Sequence, residues 1–424
     1  MSHILVASAD DIVEQILVQC WLFEARAGDY ASARANAERT LERLLSRGLP
    51  AKSAPGGALL LDPYAANNAI KSRVGEPADE AWPHWQRTTR RNAVSLPCAP
   101  RTYRVTLRRE WHSYAATAGR PLIFRLPLPL RGAQRGAARV RLLEPRNGLR
   151  EIRETAGRVE LRLDAAPAGE PVVAELVVEF IGGEVRDPMG TSAPLGAAVE
   201  SDDQLWLRER EGLIAPSAAV AALAADLANG SATARDFVHA AWDWLMTNMQ
   251  FGDVHREDLD PDDALGGLLR TRVADCVLGS SLLAGICRAR GIPARVVSGF
   301  LLHPANLGPH SWAEVRLAAG LWAPFDFGSW CYCAGDPADP EWGRFFRGRV
   351  DARLLAEVAP RDFTGWGSAP PPARWYRLER LRDGRMEHSL HALPGGNLVR
   401  RDLLDLEVVG PASAAAASSG GTEL

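Results

Sequence analysis

The sequence predicts an α+β protein in three parts: a helical segment at 1–98, an antiparallel β-sandwich at 99–185 and a mixed helix-and-strand domain at 200–410, with a disordered tail at 411–424. Three observations predict it. Apolar residues recur at helical spacing over 8–48 and again beyond about 202. Between 101 and 182 the period changes to the two-residue alternation of half-buried strands. Cys276 opens a further apolar helical run, and His310 and Asp326 follow it on two successive strand-like stretches.

A chain of 424 residues exceeds one typical core. Its 46% hydrophobic and 24% charged residues are those of an ordinary globular protein. A net charge of −3 offers no basic footprint for nucleic acid. No basic region precedes Asp10-Asp11, and no uncharged apolar run is long enough to span a bilayer. The expectation is a cytoplasmic protein without a membrane partner. The six cysteines are scattered, which argues against a disulfide framework. Cys331-Tyr332-Cys333 is too tight for a metal pair, and neither a metal nor a cofactor is expected.

Ser8-Ala9-Asp10-Asp11 has the form of a capping box before a helix whose apolar face carries Ile12, Ile16, Leu17, Cys20, Trp21 and Phe23. Gly28-Asp29 breaks it. A second helix runs through Ala33, Ala37, Leu41, Leu44 and Leu45 until Gly48 and Pro50 stop it. The pair is similar to one tetratricopeptide unit, but a single unit cannot stack, so it reads as a docked helical hairpin. Residues 51–98 are rich in Pro, Gly and Ala and read as irregular. Alternating stretches at 102–107, 122–126, 158–163 and 172–178, separated by turn residues such as Gly119, Gly132, Asn147-Gly148 and Gly169, read as a sandwich. Helices follow at 218–227 and 232–249. Asp260-Pro261 reads as the N-cap and first residue of another. The stretches 375–378 and 404–409 read as strands.

Behind Cys276, Leu278, Leu282, Leu283 and Ile286 keep helical spacing, and Gly291 with Pro293 ends the run. A thiol in a first helical turn feels the positive end of the helix dipole, which favours thiolate. His310, Trp312, Glu314 and Arg316 share one strand face, and Ala318-Ala319-Gly320 is a short hairpin connection. Pairing Leu317 with Leu321 sets Trp312 opposite Asp326. His310 is then the diagonal neighbour of Asp326, about 7–8 Å away between Cβ atoms. A one-residue slip would put the two on opposite faces. Thiol, imidazole and carboxylate in this order can form a nucleophilic triad. Trp242, Trp244 and Gln250 are candidate oxyanion donors, with core packing the competing explanation for both Trp. Arg295 and Glu314 lie near the site by strand position, as substrate contacts or surface charges. His303, His388 and His391 read as surface residues.

Residues from about 216 to 330 resemble the transglutaminase-like cysteine enzymes of the bacterial branch. The stretches that carry the resemblance are Asp275-Cys276 with its helix, the run from Cys287-Arg288-Ala289-Arg290-Gly291-Ile292-Pro293 to Gly299-Phe300, His310-Ser311-Trp312-Ala313-Glu314-Val315, and Gly320-Leu321-Trp322-Ala323-Pro324-Phe325-Asp326. The resemblance implies a papain-like core with Cys276 as nucleophile, His310 as base and Asp326 as its orienter, and a sandwich domain before it. Ala274 departs from the pattern, since the family commonly has Gly there. The implied activity is acyl transfer through a thioester on Cys276, from a peptide, amide or thioester donor to an amine. The donor extends to acyl groups on a carrier protein. Two alternatives stand beside it: a peptidase or amidase with water as acceptor, and a non-catalytic binding module on the same fold.

Overall fold

The structure is a computed structural model that describes residues 4–71, 80–94, 99–112, 121–130, 134–144, 149–155, 157–165, 169–187, 190, 192–215, 217–303, 307–333, 345–359, 374–393 and 396–411. Cys98 and the tail beyond 411 lie outside them.

The N-terminal part comprises β1 (Ala7–Ser8), α1 (Ala9–Arg26), α2 (Tyr30–Ser46), β2 (Ala51–Ser53), β3 (Leu59–Leu61), α3 (Pro63–Lys71) and α4 (Trp82–Val94). Ser8 and Asp11 close the capping box in both directions, each side chain accepting from the other's backbone N–H at 3.2 Å. Gly28, at φ +100°, supplies the left-handed residue that lets the chain leave α1. The stretch read as irregular is therefore partly ordered. Asp62 opens α3 by accepting from the N–H groups of Tyr64 and Ala65 at 2.9 and 3.2 Å. The helix has few aliphatic residues and buries Tyr64, Ala66, Asn67 and Ile70 instead, so it lacks a conspicuous apolar stripe.

The sandwich strands are β4 (Arg101–Trp111), β5 (Leu122–Pro127), β6 (Gln134–Glu144), β7 (Leu149–Thr155), β8 (Arg158–Leu163) and β9 (Val172–Gly182), followed by β10 (Val185–Arg186). The remainder comprises α5 (Ala218–Leu227), α6 (Ala234–Asn248), β11 (Gln250–Phe251), α7 (Ala264–Thr271), β12 (Val273–Ala274), α8 (Cys276–Arg288), β13 (Ala294–Leu302), β14 (Leu307–Ala318), β15 (Leu321–Phe325), α9 (Phe327–Cys333), β16 (Arg349–Val350), β17 (Arg353–Ala359), β18 (Trp375–Arg382), β19 (Arg385–Ala392) and β20 (Asn397–Pro411). α7 begins at Ala264, not after Asp260. The Asp260 carboxylate accepts from Asp262 N–H at 2.9 Å, and this local turn keeps Pro261 outside the helix.

One sandwich sheet is β5-β8-β7 and the other is β18-β19-β20-β4-β9-β6. The segment 200–410, expected as one domain, therefore does not stay together. Its last three strands complete the sandwich, with β20 running antiparallel to β4 from Arg400 opposite Trp111 to Pro411 opposite Arg101. Arg109 locks this pairing. It is 1% exposed and donates from Nε and Nη2 to Asp402 at 2.7 and 2.8 Å.

A separate antiparallel sheet is β15-β14-β13-β17, with α8 across β13 and β14. Phe300, Leu302, Leu307, Leu354 and Ala356 share a hydrophobic core with the sandwich. Leu128 and Leu130 N–H donate to Gly157 and Leu355 carbonyls at 2.6 and 2.8 Å, so β17 is bound to the sandwich as well as to β13. No helix among the described residues is long and apolar enough to cross a membrane.

Candidate active site

The strand before Cys276 is fixed first. β11 and β12 pair in parallel, with Gln250 opposite Val273 and Phe251 opposite Ala274. Ala274 is buried, and its carbonyl accepts from Gly252 N–H at 3.0 Å, so Ala fits where the family pattern has Gly. Asp275 then N-caps α8, with Oδ1 accepting from Leu278 N–H at 2.8 Å. Its Oδ2 accepts from Arg256 and Arg377 Nη2 at 2.9 and 3.4 Å. Burial pushes this carboxyl up, and the two guanidinium groups outweigh it and hold it below its ordinary value. Cys276 follows as the first residue of α8 and is only half-buried, whereas Cys20, Cys287 and Cys331 are buried. Burial pushes the Cys287 thiol well up, which makes it a poor nucleophile.

β14 and β15 take the expected register, with Ala313 opposite Phe325 and Val315 opposite Ala323. A bulge between Arg316 and Ala318 sets Ala318, rather than Leu317, against Leu321. The register brings the imidazole to the carboxylate: His310 Nε2 lies 2.9 Å from both oxygens of Asp326. Asp326 is held in turn, its Oδ1 accepting from Ser329 N–H at 2.8 Å and its Oδ2 meeting Arg353 Nη1. Burial pushes the Asp326 carboxyl up, but Arg353 and then His310 overcome this and keep it far below the carboxylate range. Burial alone would lower the His310 pKa. Asp326, followed by Cys276, reverses that and raises it to about 9. The folded-state value thus exceeds the ordinary histidine value of about 6.5. The stabilisation is complete below the unfolded pKa and is lost as pH rises through the folded one. Urea midpoints should fall between about pH 7 and about pH 10 in the wild type, and fall much less in His310→Asn. Equal alkaline losses in the two proteins would reject the coupling.

Gly328 closes the site. A Cβ placed there would stand 2.7 Å from His310 Cε1 and 3.2 Å from both Cys276 Cβ and Phe251 Cε2. Cys276 and His310 therefore converge on the same small space at the start of α9.

The oxyanion candidates separate. Trp242 is 1% exposed and packs on Phe325 with ring centroids 5.6 Å apart, which makes it a core residue. Trp244 lies beneath the Arg272 guanidinium at 4.9 Å. Gln250, buried on β11, flanks the strand that leads into Cys276. Arg295 and Glu314 are not surface charges. They form a buried cross-strand pair at 2.9 Å, with the guanidinium 3.7 Å from the Trp322 ring centre. Nor are the three spare histidines free on the surface. His303 meets Asp351 at 2.8 Å, His388 donates to the Leu307 carbonyl at 3.1 Å, and His391 lies 3.0 Å from the Gly396 carbonyl.

Several residues around the site carry no sequence signal of their own. Arg353, Asp351 and Gly328 belong to no recognisable pattern. The N-terminal part also contributes. Asn68 exchanges hydrogen bonds with the backbone of Asp253, both at 2.8 Å, and Asn67 donates to the Asp253 carboxylate at 3.0 Å. Tyr64 Oη accepts from Arg377 N–H at 3.1 Å, and His255 meets Asp62 at 3.1 Å. α3 and its cap therefore buttress the segment that follows β11.

A part-exposed thiol at a helix start, beside an imidazole oriented by a buried carboxylate, is the side-chain arrangement that nucleophilic cysteine chemistry requires. Residues 221–327 match the model of the Transglutaminase-like superfamily, so the chain carries a transglutaminase-like domain. Two solved structures are similar to it. A candidate cysteine protease from Cytophaga hutchinsonii is 13% identical, with a TM-score of 0.47, and the match covers 73% of this chain and 91% of that one. The periplasmic domain of TgpA from Pseudomonas aeruginosa is 14% identical, with a TM-score of 0.30, over 61% of this chain and 96% of that one. No curated protein matches the chain significantly.

Proposed function

We propose that the protein is a cysteine acyltransferase, with Cys276 as nucleophile, His310 as base and Asp326 as the group that orients the base. The observation that supports this most directly is the convergence of Cys276 and His310 on Gly328, with His310 Nε2 committed to Asp326 on its other side. Nδ1 is then the nitrogen left to take the thiol proton. The thiolate attacks the carbonyl carbon of an amide or thioester. The oxyanion that forms faces the N–H groups of the first turn of α8, with Gln250 as the side-chain donor. Collapse expels an amine, protonated by His310, or a thiol, and leaves the acyl group on Cys276. An amine then attacks the thioester while His310 accepts its proton, and the thiolate leaves. Donors of this class include peptides, amides and acyl groups carried as thioesters on a carrier protein.

The half-exposed position of Cys276 favours a second reading, in which water resolves the thioester and the enzyme is a peptidase or amidase. Intact-mass measurement with a panel of acyl thioesters separates the two. An adduct on Cys276 should form, and added amine should divert product from acid to amide. Acid as the sole product at every amine concentration would replace the transferase with the hydrolase. No adduct from any donor would favour a binding module.

A further inference from the structure

Two buried His–Asp pairs lie on either side of one guanidinium. His310 and Asp326 form the first. In the second, His303 Nε2 lies 2.8 Å from Asp351 Oδ2, and Asp351 is 0% exposed. Arg353 bridges them. Its Nη1 contacts Asp326 Oδ2, its Nε and Nη2 donate to Asp351 Oδ1 at 2.9 and 2.7 Å, and Nη2 also donates to Ser329 Oγ at 3.2 Å. The rings of Trp312 and Phe346 lie 4.9 and 5.9 Å from the guanidinium carbon. Among the described residues, Asp326 and His310 face Arg353 on one side and Asp351 and His303 on the other, while Arg377, paired with Asp275, acts on Cys276 from β18.

Packing alone does not call for this arrangement. Burying a guanidinium and two carboxylates carries a desolvation penalty, and apolar side chains of equal volume would fill the space without that cost. The backbone is also shaped to admit Arg353. A Cβ at Gly299 would stand 1.8 Å from the Leu354 carbonyl oxygen, so glycine there lets β17 close on β13. Arg353 pairs with Leu301 and His310 with Gly299, which places both side chains on one face of the sheet.

We infer that Arg353 is a positioning residue whose charge, shared between Asp326 and Asp351, sets the proton affinity of the Cys276–His310 pair. This rests on the triad proposed above. Asp326 adds a negative charge beside that pair, and Arg353 cancels it. Without the cation, thiol and imidazole both hold their protons more tightly. Without the Asp351 charge, more of the cation acts on Asp326 and the effect reverses.

The test is the rate of iodoacetamide alkylation of Cys276 against pH, read by intact mass on the full chain. Arg353→Gln should move the whole profile to higher pH by about one unit or more. At the wild-type half-maximal pH the rate then drops roughly fivefold or more. Arg353→Lys keeps the charge and should leave the profile in place, even where its plateau falls. Asp351→Asn should move it by a smaller step to lower pH. Coinciding profiles for wild type, Arg353→Gln and Asp351→Asn would overturn the inference and leave the triad standing. Should Arg353→Gln fail to fold, Asp351→Asn decides: an acid shift supports the role, and no shift or an alkaline one rejects it. Absence of selective, pH-dependent alkylation in the wild type would remove the triad and the inference together.

Discussion

Cys276→Ala is expected to abolish acyl-adduct formation and turnover, a loss of roughly 10⁵–10⁶-fold if chemistry follows other triads that lose the nucleophile. The fold should survive. Cys276 is half-buried, and α8 is anchored without it, by the Asp275 cap at its start and by Leu278, Leu282, Leu283 and Ile286 in the core. The cost in stability should therefore stay within about 1 kcal/mol. The substitution also has an electrical consequence. Cys276 is one of the groups that raise His310, so Cys276→Ala should begin losing stability at lower pH than the wild type. Intact mass after incubation with an acyl thioester, beside urea midpoints across the alkaline range, reads both effects. An adduct of full yield on the Ala variant would place the nucleophile elsewhere and sink the proposal.

The part of the site legible in the sequence was the part governed by periodicity. Strand alternation and one hairpin length place His310 diagonal to Asp326, because a one-residue slip would invert every side chain on the face. The bulge at Arg316–Ala318 escaped this arithmetic and did no harm, since it lies at the turn rather than beside His310. The extent of α8 was legible for a similar reason: an apolar repeat runs behind Cys276 and Gly291 ends it, whereas the Asp275 cap was not read. What the pattern could not reveal were contacts between distant segments. Arg353 reaches Asp326 only because β17 pairs with β13 around Gly299, and nothing local to 353 announces that pairing. The same holds for β20, whose alternation was visible but whose partner, β4, lies near the other end of the chain. α3 was missed because Tyr64, Asn67 and Asn68 dock by hydrogen bonds rather than by an aliphatic stripe. For Trp242 the sequence left two explanations, oxyanion donor and core packing, and its contact with Phe325 favours the second.

Gly328→Ala should damage catalysis more than its size suggests. No positive φ makes a side chain costly at this position, so the backbone accepts alanine. The conflict lies in the space between the reacting groups. The new methyl would stand 2.7 Å from His310 Cε1 and 3.2 Å from Cys276 Cβ, both inside ordinary contact distance. The imidazole cannot simply retreat, because its far side is bound to Asp326 at 2.9 Å and Asp326 is pinned by Ser329 and Arg353. A displacement of a few tenths of an ångström to 1 Å must then appear between thiol and imidazole. Misplacement on that scale costs on the order of 10²-fold in rate. Overpacking should add about 1–3 kcal/mol of destabilisation. Gly320 supplies the contrast. It sits in the hairpin at φ +72° with open space around its Cβ position, so Gly320→Ala should cost about 1 kcal/mol through its backbone and leave the chemistry intact. Single-turnover acylation rates and urea midpoints on the two variants divide the effects. A wild-type acylation rate in Gly328→Ala would mean that the imidazole can move freely, and the tight Cys276–Gly328–His310 packing would then have no part in positioning the base.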